Sequence, residues 1–164
     1  MAGKSHNFTY DVFISLRGEV LRDTFIECFL KELMQKGIKT FIDGEIMEAG
    51  DVISPAVSKA IEESKVLIVV FCVNYASSTR CLDELYKIYS RRIGYEQHVF
   101  PIFYLIEPTV VRHQTANYAE AMTAHEERFG QSSEKVETWR LALNGICQIS
   151  GHHASNRYIS FFGT

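Results

Sequence analysis

The sequence contains few of the residues that stabilise small disulfide-rich or zinc-binding proteins. Its 164 residues include only four cysteines, Cys28, Cys72, Cys81 and Cys147, and no two of them form a Cys-x-x-Cys pair. This wide spacing argues against a zinc ribbon and against a disulfide framework. We therefore expect reduced thiols in an intracellular protein.

Long hydrophobic runs are also lacking. No segment approaches the roughly 18 uninterrupted apolar residues that a membrane span requires. The first residues, MAGKSHNFTYDVF, contain no apolar core of a secretory signal. We expect a protein of the cytoplasm that does not enter a membrane, with the nucleus as a second compartment.

Charge of one sign is not in excess either. The formal net charge is −3 and the isoelectric point is near 6.1, which provides no general cationic field for a polyanion. Nucleic acid is therefore not expected as a partner. With 46% apolar residues, the chain has enough material for one domain with its own core.

Four short apolar runs, rich in β-branched and aromatic residues, predict strands. The run 65–71 is almost continuously apolar, as in a strand covered on both faces, which favours a parallel sheet. The run 38–43 alternates less clearly and is placed nearer an edge. The predicted strands are YDVFISL (10–16), IKTFID (38–43), KVLIVVF (65–71) and HVFPIFYL (98–105).

Helical patterns separate these strands. Ser54 followed by Pro55 predicts a helix start, because serine caps helices and proline suits their first turn. In the helix after the third strand, Glu84 falls off the apolar stripe and is not expected to be buried. A helix before the second strand is predicted to stop near Gly37. Two further helices are predicted over 117–129 and 133–149, the second with Trp139, Leu143 and Ile146 as core contacts.

Alternating strands and helices predict a doubly wound α/β domain. The leading topology is flavodoxin-like, with a parallel sheet in the order 2-1-3-4-5. The last residues supply at most a short edge strand, so the final helix is expected to be missing. The predicted organisation is a flexible N-terminus (1–7), one domain (8–154) and a tail (155–164).

The predicted topology also places a ligand site. In an open parallel sheet, ligands bind beyond the carboxyl ends of the strands, where the strand order reverses. That point lies between the first and third strands, which selects the loops 15–22 and 73–84. The residues predicted to face a common crevice are Arg17, Gly18, Ser77, Ser78, Arg80 and Glu84.

Familiar catalytic and cofactor motifs are absent from these loops. There is no phosphate-binding glycine loop, no dinucleotide fingerprint and no catalytic triad, and the histidines show no ligand spacing. No metal or resident cofactor is predicted. Asp83 and Glu84 could be acids that gain about 0.3–1 kcal/mol from the helix dipole, or one could be a catalytic carboxylate. Cys81 is interpreted as a small core residue rather than a nucleophile.

Several segments together resemble the plant-type Toll/interleukin-1 receptor (TIR) domain. They follow the order of that family across roughly residues 8 to 153, and the combination is far more specific than any single motif. The segments are YDVFISLRGE, GIKTFID, AIEESKVLIVVFCVNYASS, CLDEL, VFPIFY, EPTVVRHQ and WRLAL.

The resemblance implies an NAD+ nucleosidase that cleaves the bond between nicotinamide and ribose. NAD+ or NADP+ would be the substrate, and hydrolysed or cyclised ADP-ribose-type products would act as immune signals. The family's catalytic glutamate falls on Glu84. A carboxylate suits this reaction because a fixed negative charge stabilises the oxocarbenium character that develops on the ribose.

The resemblance also implies a nucleotide-binding set and self-association. Residues 43–53 match the BB loop, which rearranges as TIR domains assemble and helps to form the site across a neighbouring protomer. The expected protein partners are a second copy or another TIR domain. The residues implied to bind NAD are Arg17, Gly18, Asp43, Ser78 and Arg80.

The chain departs from the family pattern at several positions. Arg80 replaces a tryptophan expected to stack on a nucleotide base, although a guanidinium can also stack or contact phosphate. Glu27 and Cys28 replace a Ser-His pair at a self-association face, and Gly44 replaces an acid. These departures support an alternative: a weakly active or inactive interaction module that acts as a signalling adaptor. A third hypothesis, action on nucleic acid, requires a basic groove that the sequence does not show.

Overall fold

The strands of the computed structural model form a single sheet. The structure describes residues 7–43 and 53–149, together with the backbone of 152–154 and 159–161. The strand order is β2-β1-β3-β4-β5-β6, in which the first five are parallel and β6 is antiparallel to β5. The strands are β1 (Tyr10–Ser15), β2 (Thr40–Asp43), β3 (Ser64–Phe71), β4 (His98–Tyr104), β5 (His152–Ala154) and β6 (Ile159–Phe161).

This arrangement confirms the flavodoxin-like order predicted from the sequence, including β2 as an edge strand. The tail differs in detail, because its described backbone contributes two short strands instead of at most one. The prediction for the BB loop falls largely on residues 44–52, which lie outside the described part of the chain.

Helices cover the sheet and connect its strands. A 3-10 turn, Gly18–Arg22, precedes the first of them, and a second 3-10 turn, Tyr75–Ser77, follows β3. The α-helices of the described residues are α1 (Thr24–Gln35), α2 (Pro55–Glu62), α3 (Thr79–Ser90), α4 (Pro108–His113), α5 (Ala116–Phe129) and α6 (Glu134–Ile146).

Side-chain caps fix the starts of several helices. Ser54 accepts a hydrogen bond from the Val57 amide at 3.2 Å, which confirms the predicted start of α2. Asp23 caps α1 in the same way. These contacts satisfy amides that have no partner within the helix. Helix α4 was not predicted, because six residues are too few to show a helical apolar period.

The core lies between the sheet and its helices. β3 is buried along most of its length, as its continuous apolar run predicted. Trp139, Leu143 and Ile146 are also buried, which confirms the predicted inner face of α6. Within the described residues, no helix combines the length and apolar character needed to cross a membrane.

Candidate functional site

The carboxyl ends of β1 and β2 place two polar residues side by side. Ser15 is the last residue of β1 and pairs in register with Asp43, the last residue of β2. Ser15 also pairs with Val69 of β3. Both polar side chains are buried, so this edge of the sheet holds polar groups within the protein interior.

Arg80, in the first turn of α3, joins these strand ends. Its Nη1 donates to the backbone oxygen of Asp43 at 2.9 Å and to the Asp43 carboxylate at 3.1 Å. Nη2 donates to the Leu16 carbonyl at 3.2 Å. The same Nη1 donates to Glu84 Oε2, one helical turn further along α3. We call Asp43, Arg80 and Glu84 the acid–arginine cluster.

Glu84 is completely buried, with 0% of its surface exposed. The prediction that it lies off the buried face of α3 is therefore wrong. The reason is Arg80, which supplies a positive charge and a hydrogen bond at i−4 and so permits a carboxyl group in the interior. Oε1, the other carboxyl oxygen, is buried and has no hydrogen-bond partner among the described residues.

Burial raises the pKa of Glu84 well above its usual range. The positive charge of Arg80 opposes this shift, whereas the carboxylate of Asp43 adds to it because two like charges share one guanidinium. The Ser15 side chain also opposes the shift, so the protonation state of Glu84 depends on Ser15 and on the two other members of the acid–arginine cluster.

A buried tyrosine, Tyr75, connects the elements that carry the cluster. The Tyr75 hydroxyl lies 2.9 Å from Ser15 Oγ and donates to the Cys81 carbonyl at 3.0 Å. It therefore ties the end of β1 to the first turn of α3. No sequence pattern singled out Tyr75 for this role, although a serine that ends an apolar strand indicates a buried polar contact.

The loop residues predicted to share a crevice with Glu84 have separate roles. Arg17 is partly exposed and lies 3.9 Å from Glu19, and Gly18 begins the 3-10 turn. Ser77 donates to the Asn74 carbonyl at 2.7 Å. The guanidinium that meets Glu84 is therefore that of Arg80, not that of Arg17.

Two further predicted site residues lie at the start of α3, and the structure corrects the second of them. Ser78 is its N-cap and accepts from the Cys81 amide at 3.2 Å, so its hydroxyl is engaged by the helix. Arg80 was predicted to face an open crevice, but only 5% of its side-chain surface is exposed. Its donors are directed to Leu16, Asp43 and Glu84.

Asp83, the neighbour of Glu84, has a structural contact. Its Oδ1 accepts from the Trp139 indole N–H at 3.0 Å, which links α3 to α6. Burial raises the pKa of Asp83, although the indole hydrogen bond opposes the shift. The two adjacent acids thus face different surroundings, since successive helical residues are about 100° apart around the axis.

The thiol of Cys81 lies in the core. It is fully buried, and burial raises its pKa to about 12. Because the thiolate is the nucleophilic form, this thiol is inert, which confirms its interpretation as a core residue. Within the described residues, no group of three or more His, Cys, Asp or Glu side chains is placed to hold a metal ion.

A cavity of about 220 Å³ opens at the same edge of the sheet. Tyr104, at the end of β4, contributes a buried hydroxyl that has no hydrogen-bond partner among the described residues. Burial raises the pKa of Tyr104 to about 12, and the carboxylate of Asp23 adds to the shift. The lining residues are Glu19, Val20, Asp23, Cys72, Val73, Asn74, Tyr104 and Leu105.

Comparison with known proteins identifies the family. The family model for the TIR domain matches residues 9–160. The chain belongs to the TIR domain family. Its sequence is 43% identical over 150 residues to TMV resistance protein N from Nicotiana glutinosa and 42% identical over 153 residues to disease resistance protein RPV1 from Vitis rotundifolia.

The relatives of this TIR domain are much longer proteins. The alignments cover 92% and 93% of this chain, but only 13% of protein N and 11% of RPV1. A solved structure of the TIR domains of the activated Roq1 resistosome, which directly recognises the effector XopQ, gives a TM-score of 0.80 at 44% identity. That alignment covers 88% of this chain and 87% of the solved chain.

The two positions predicted to lie at a self-association face, 27 and 28, belong to α1. Glu27 and Cys28 are both exposed there. Glu27 forms an ion pair with Lys31 at 3.2 Å on the same helix. Such an exposed i,i+4 pair adds only about 0.3–0.5 kcal/mol to stability, so the pair does not prevent these side chains from meeting a partner.

Proposed function

We propose that this TIR domain is an NAD+ nucleosidase that cleaves the nicotinamide–ribose bond and produces ADP-ribose-type immune signals. The observation that supports it most is the buried carboxyl of Glu84 near the carboxyl ends of parallel strands, one oxygen of which has no hydrogen-bond partner within the described part of the chain. Strongly perturbed acids in such positions are candidates for function. The disease-resistance names of the relatives support a role in plant immunity.

The chemistry assigned to Glu84 is electrostatic. Cleavage of the glycosidic bond builds positive charge on the ribose, and an anionic carboxylate in a site that excludes water stabilises that charge. The ion pair with Arg80 favours this anionic form of Glu84 against the opposing effect of burial. Nicotinamide leaves as a neutral molecule from a cationic ring, so it needs little acid assistance. One carboxylate can therefore support the reaction, without the second carboxyl group that many glycosidases use.

The substrate requires more room than the cavity near Tyr104 provides. Its volume of about 220 Å³ is below the roughly 300–1,000 Å³ typical of ligand pockets. We assign it at most one part of the dinucleotide. A neighbouring TIR domain would supply the remainder, as the resistosome assembly described for the Roq1 structure suggests. NAD+ cleavage would then require self-association.

The test is nicotinamide release from NAD+ by the purified chain over a range of protein concentrations. Glu84→Gln keeps the shape of the side chain but removes its charge, and should lower the rate by about 10²-fold or more. The matched control is Asp83→Asn, which alters the adjacent acid but retains an oxygen for Trp139. Equal unfolding midpoints must accompany the comparison. Unchanged turnover in Glu84→Gln would reject the catalytic role.

A second candidate function is an interaction module with little catalysis. The complete burial of Glu84 and its ion pair with Arg80 favour it, because these features also suit a carboxyl group with a purely structural role. This candidate predicts concentration-dependent self-association, measured by sedimentation velocity, without Glu84-dependent nicotinamide release at any concentration.

A further inference from the structure

Resting on the proposed nucleosidase function, we propose that Arg80 is a positioning residue: it holds one carboxylate oxygen of Glu84 and leaves the other to meet the ribose. This assigns Arg80 a role through Glu84 and not through contact with the nucleotide. The role differs from that implied by the resemblance, in which Arg80 was expected to bind NAD directly.

The geometry of Arg80 supports this assignment. All its described contacts are with protein acceptors: two on Asp43, one on Leu16 and one on Glu84. A guanidinium held at the ends of two strands has little freedom to rotate, and the carboxylate bound to it is oriented as well. Among the residues that the structure describes, Glu84 Oε1 has no hydrogen-bond partner, which is the arrangement that a ribose hydroxyl could complete.

The charges around Glu84 give Arg80 a second effect. In the described structure, Arg80 is the cation that favours the anionic form of Glu84, whereas burial and Asp43 favour the neutral form. The other ionisable groups that influence this region, Tyr75 and Cys81, have pKa values raised by burial, that of Cys81 to about 12. They stay neutral at ordinary pH, so Arg80 and Asp43 are the charged groups that act on the titration of Glu84, while the neighbouring Ser15 side chain also favours its anionic form.

The sign of each substitution follows from these charges. Arg80→Met removes the cation and should move the pKa of Glu84 upward, by about 1–3 pH units if the full effect of a close opposite charge is lost. Asp43→Asn removes the competing anion and should move it downward. Arg80→Lys keeps a positive charge but loses the planar guanidinium, so the pKa of Glu84 in this variant should lie between those in the wild type and in Arg80→Met.

The first measurement needs no activity. In the full chain labelled with [13C]glutamate, the carboxyl resonance absent from Glu84→Gln identifies Glu84, and its titration gives the pKa. Opposite displacements in Asp43→Asn and the Arg80 variants support the proposal. An unmoved titration, or displacement in one direction only, overturns it. If Arg80→Met does not fold, Arg80→Lys and Asp43→Asn still show in which direction each charge moves the pKa of Glu84.

The second measurement is the pH profile of nicotinamide release. The acidic limb should move in the same direction as the Glu84 titration, and kcat should fall in the Arg80 variants while KM changes little, since Arg80 does not touch substrate. A large rise in KM with an unmoved limb would instead mean direct nucleotide binding and would overturn the proposal. Absence of Glu84-dependent release in the wild type rejects the nucleosidase, a result separate from the NMR titration.

Discussion

Gly145 of α6 offers a direct test of the packing between α3 and α6. A Cβ added at this position would lie 2.1 Å from Tyr89 Cε2, 2.7 Å from Cζ and 2.8 Å from the hydroxyl oxygen. Ordinary contact begins at 3.4 Å, so the tyrosine ring would have to move by roughly 1.3 Å to accommodate the methyl group. That movement is opposed, because the ring packs against the core and the guanidinium carbon of Arg92 lies 3.7 Å from the ring centroid.

Two effects of Gly145→Ala therefore compete. Alanine favours the helix over glycine by about 0.8–1.0 kcal/mol, whereas overpacking typically costs about 1–3 kcal/mol. We expect overpacking to prevail, with a net loss of up to about 2 kcal/mol in the free energy of unfolding measured by urea denaturation.

The control is the same substitution in a Tyr89→Leu background. Leucine lacks the ring edge that meets the new methyl group, so Gly145→Ala should there be neutral or stabilising by up to about 1 kcal/mol. The same destabilisation in both backgrounds would refute the assignment to the tyrosine ring. Stabilisation in the wild-type background would show that the ring moves away without cost.

Three further predictions concern the supports of the fold. Asp83→Ala leaves the Trp139 indole N–H without its acceptor and should lower the free energy of unfolding by about 1–3 kcal/mol, whereas Asp83→Asn should recover most of the loss. In the native protein, a maleimide should label the exposed Cys28 but not the buried Cys81; mass mapping of labelled peptides distinguishes them, and rapid labelling of Cys81 would contradict its burial. Ser54→Ala removes the cap of α2 and should cost about 1 kcal/mol in urea denaturation, while Ser54→Asp should preserve stability.

The sheet could be predicted from the sequence because its strands are short and apolar. The run 65–71 was identified as a strand covered on both faces, and β3 has that burial. Ser54 and Pro55 likewise located the start of α2 from local chemistry alone. These features depend on neighbouring residues, and for that reason a single sequence reveals them.

The acid–arginine cluster could not be predicted in the same way, because Asp43 lies far from Arg80 and Glu84 in the sequence. The sequence placed Glu84 off the apolar stripe, and apolar periodicity treats any charged residue as exposed. Only the tertiary structure shows that Arg80 and Glu84 enter the interior together and meet Asp43 from another strand. The resemblance implied that Glu84 is catalytic, but it implied that Arg80 contacts the nucleotide, whereas in the structure Arg80 contacts the Glu84 carboxylate.

The acid–arginine cluster also has a consequence for how the chain folds. The contacts of Arg80 with Leu16 and Asp43 span 64 and 37 positions in the sequence, so each requires closure of a long loop with its entropic cost. The Arg80–Glu84 contact spans only four positions and can form in any helical state of α3. Glu84 is thus an ordinary hydrated acid until the long-range contacts form. Its unusual titration would therefore provide a probe of cooperative folding as well as of function.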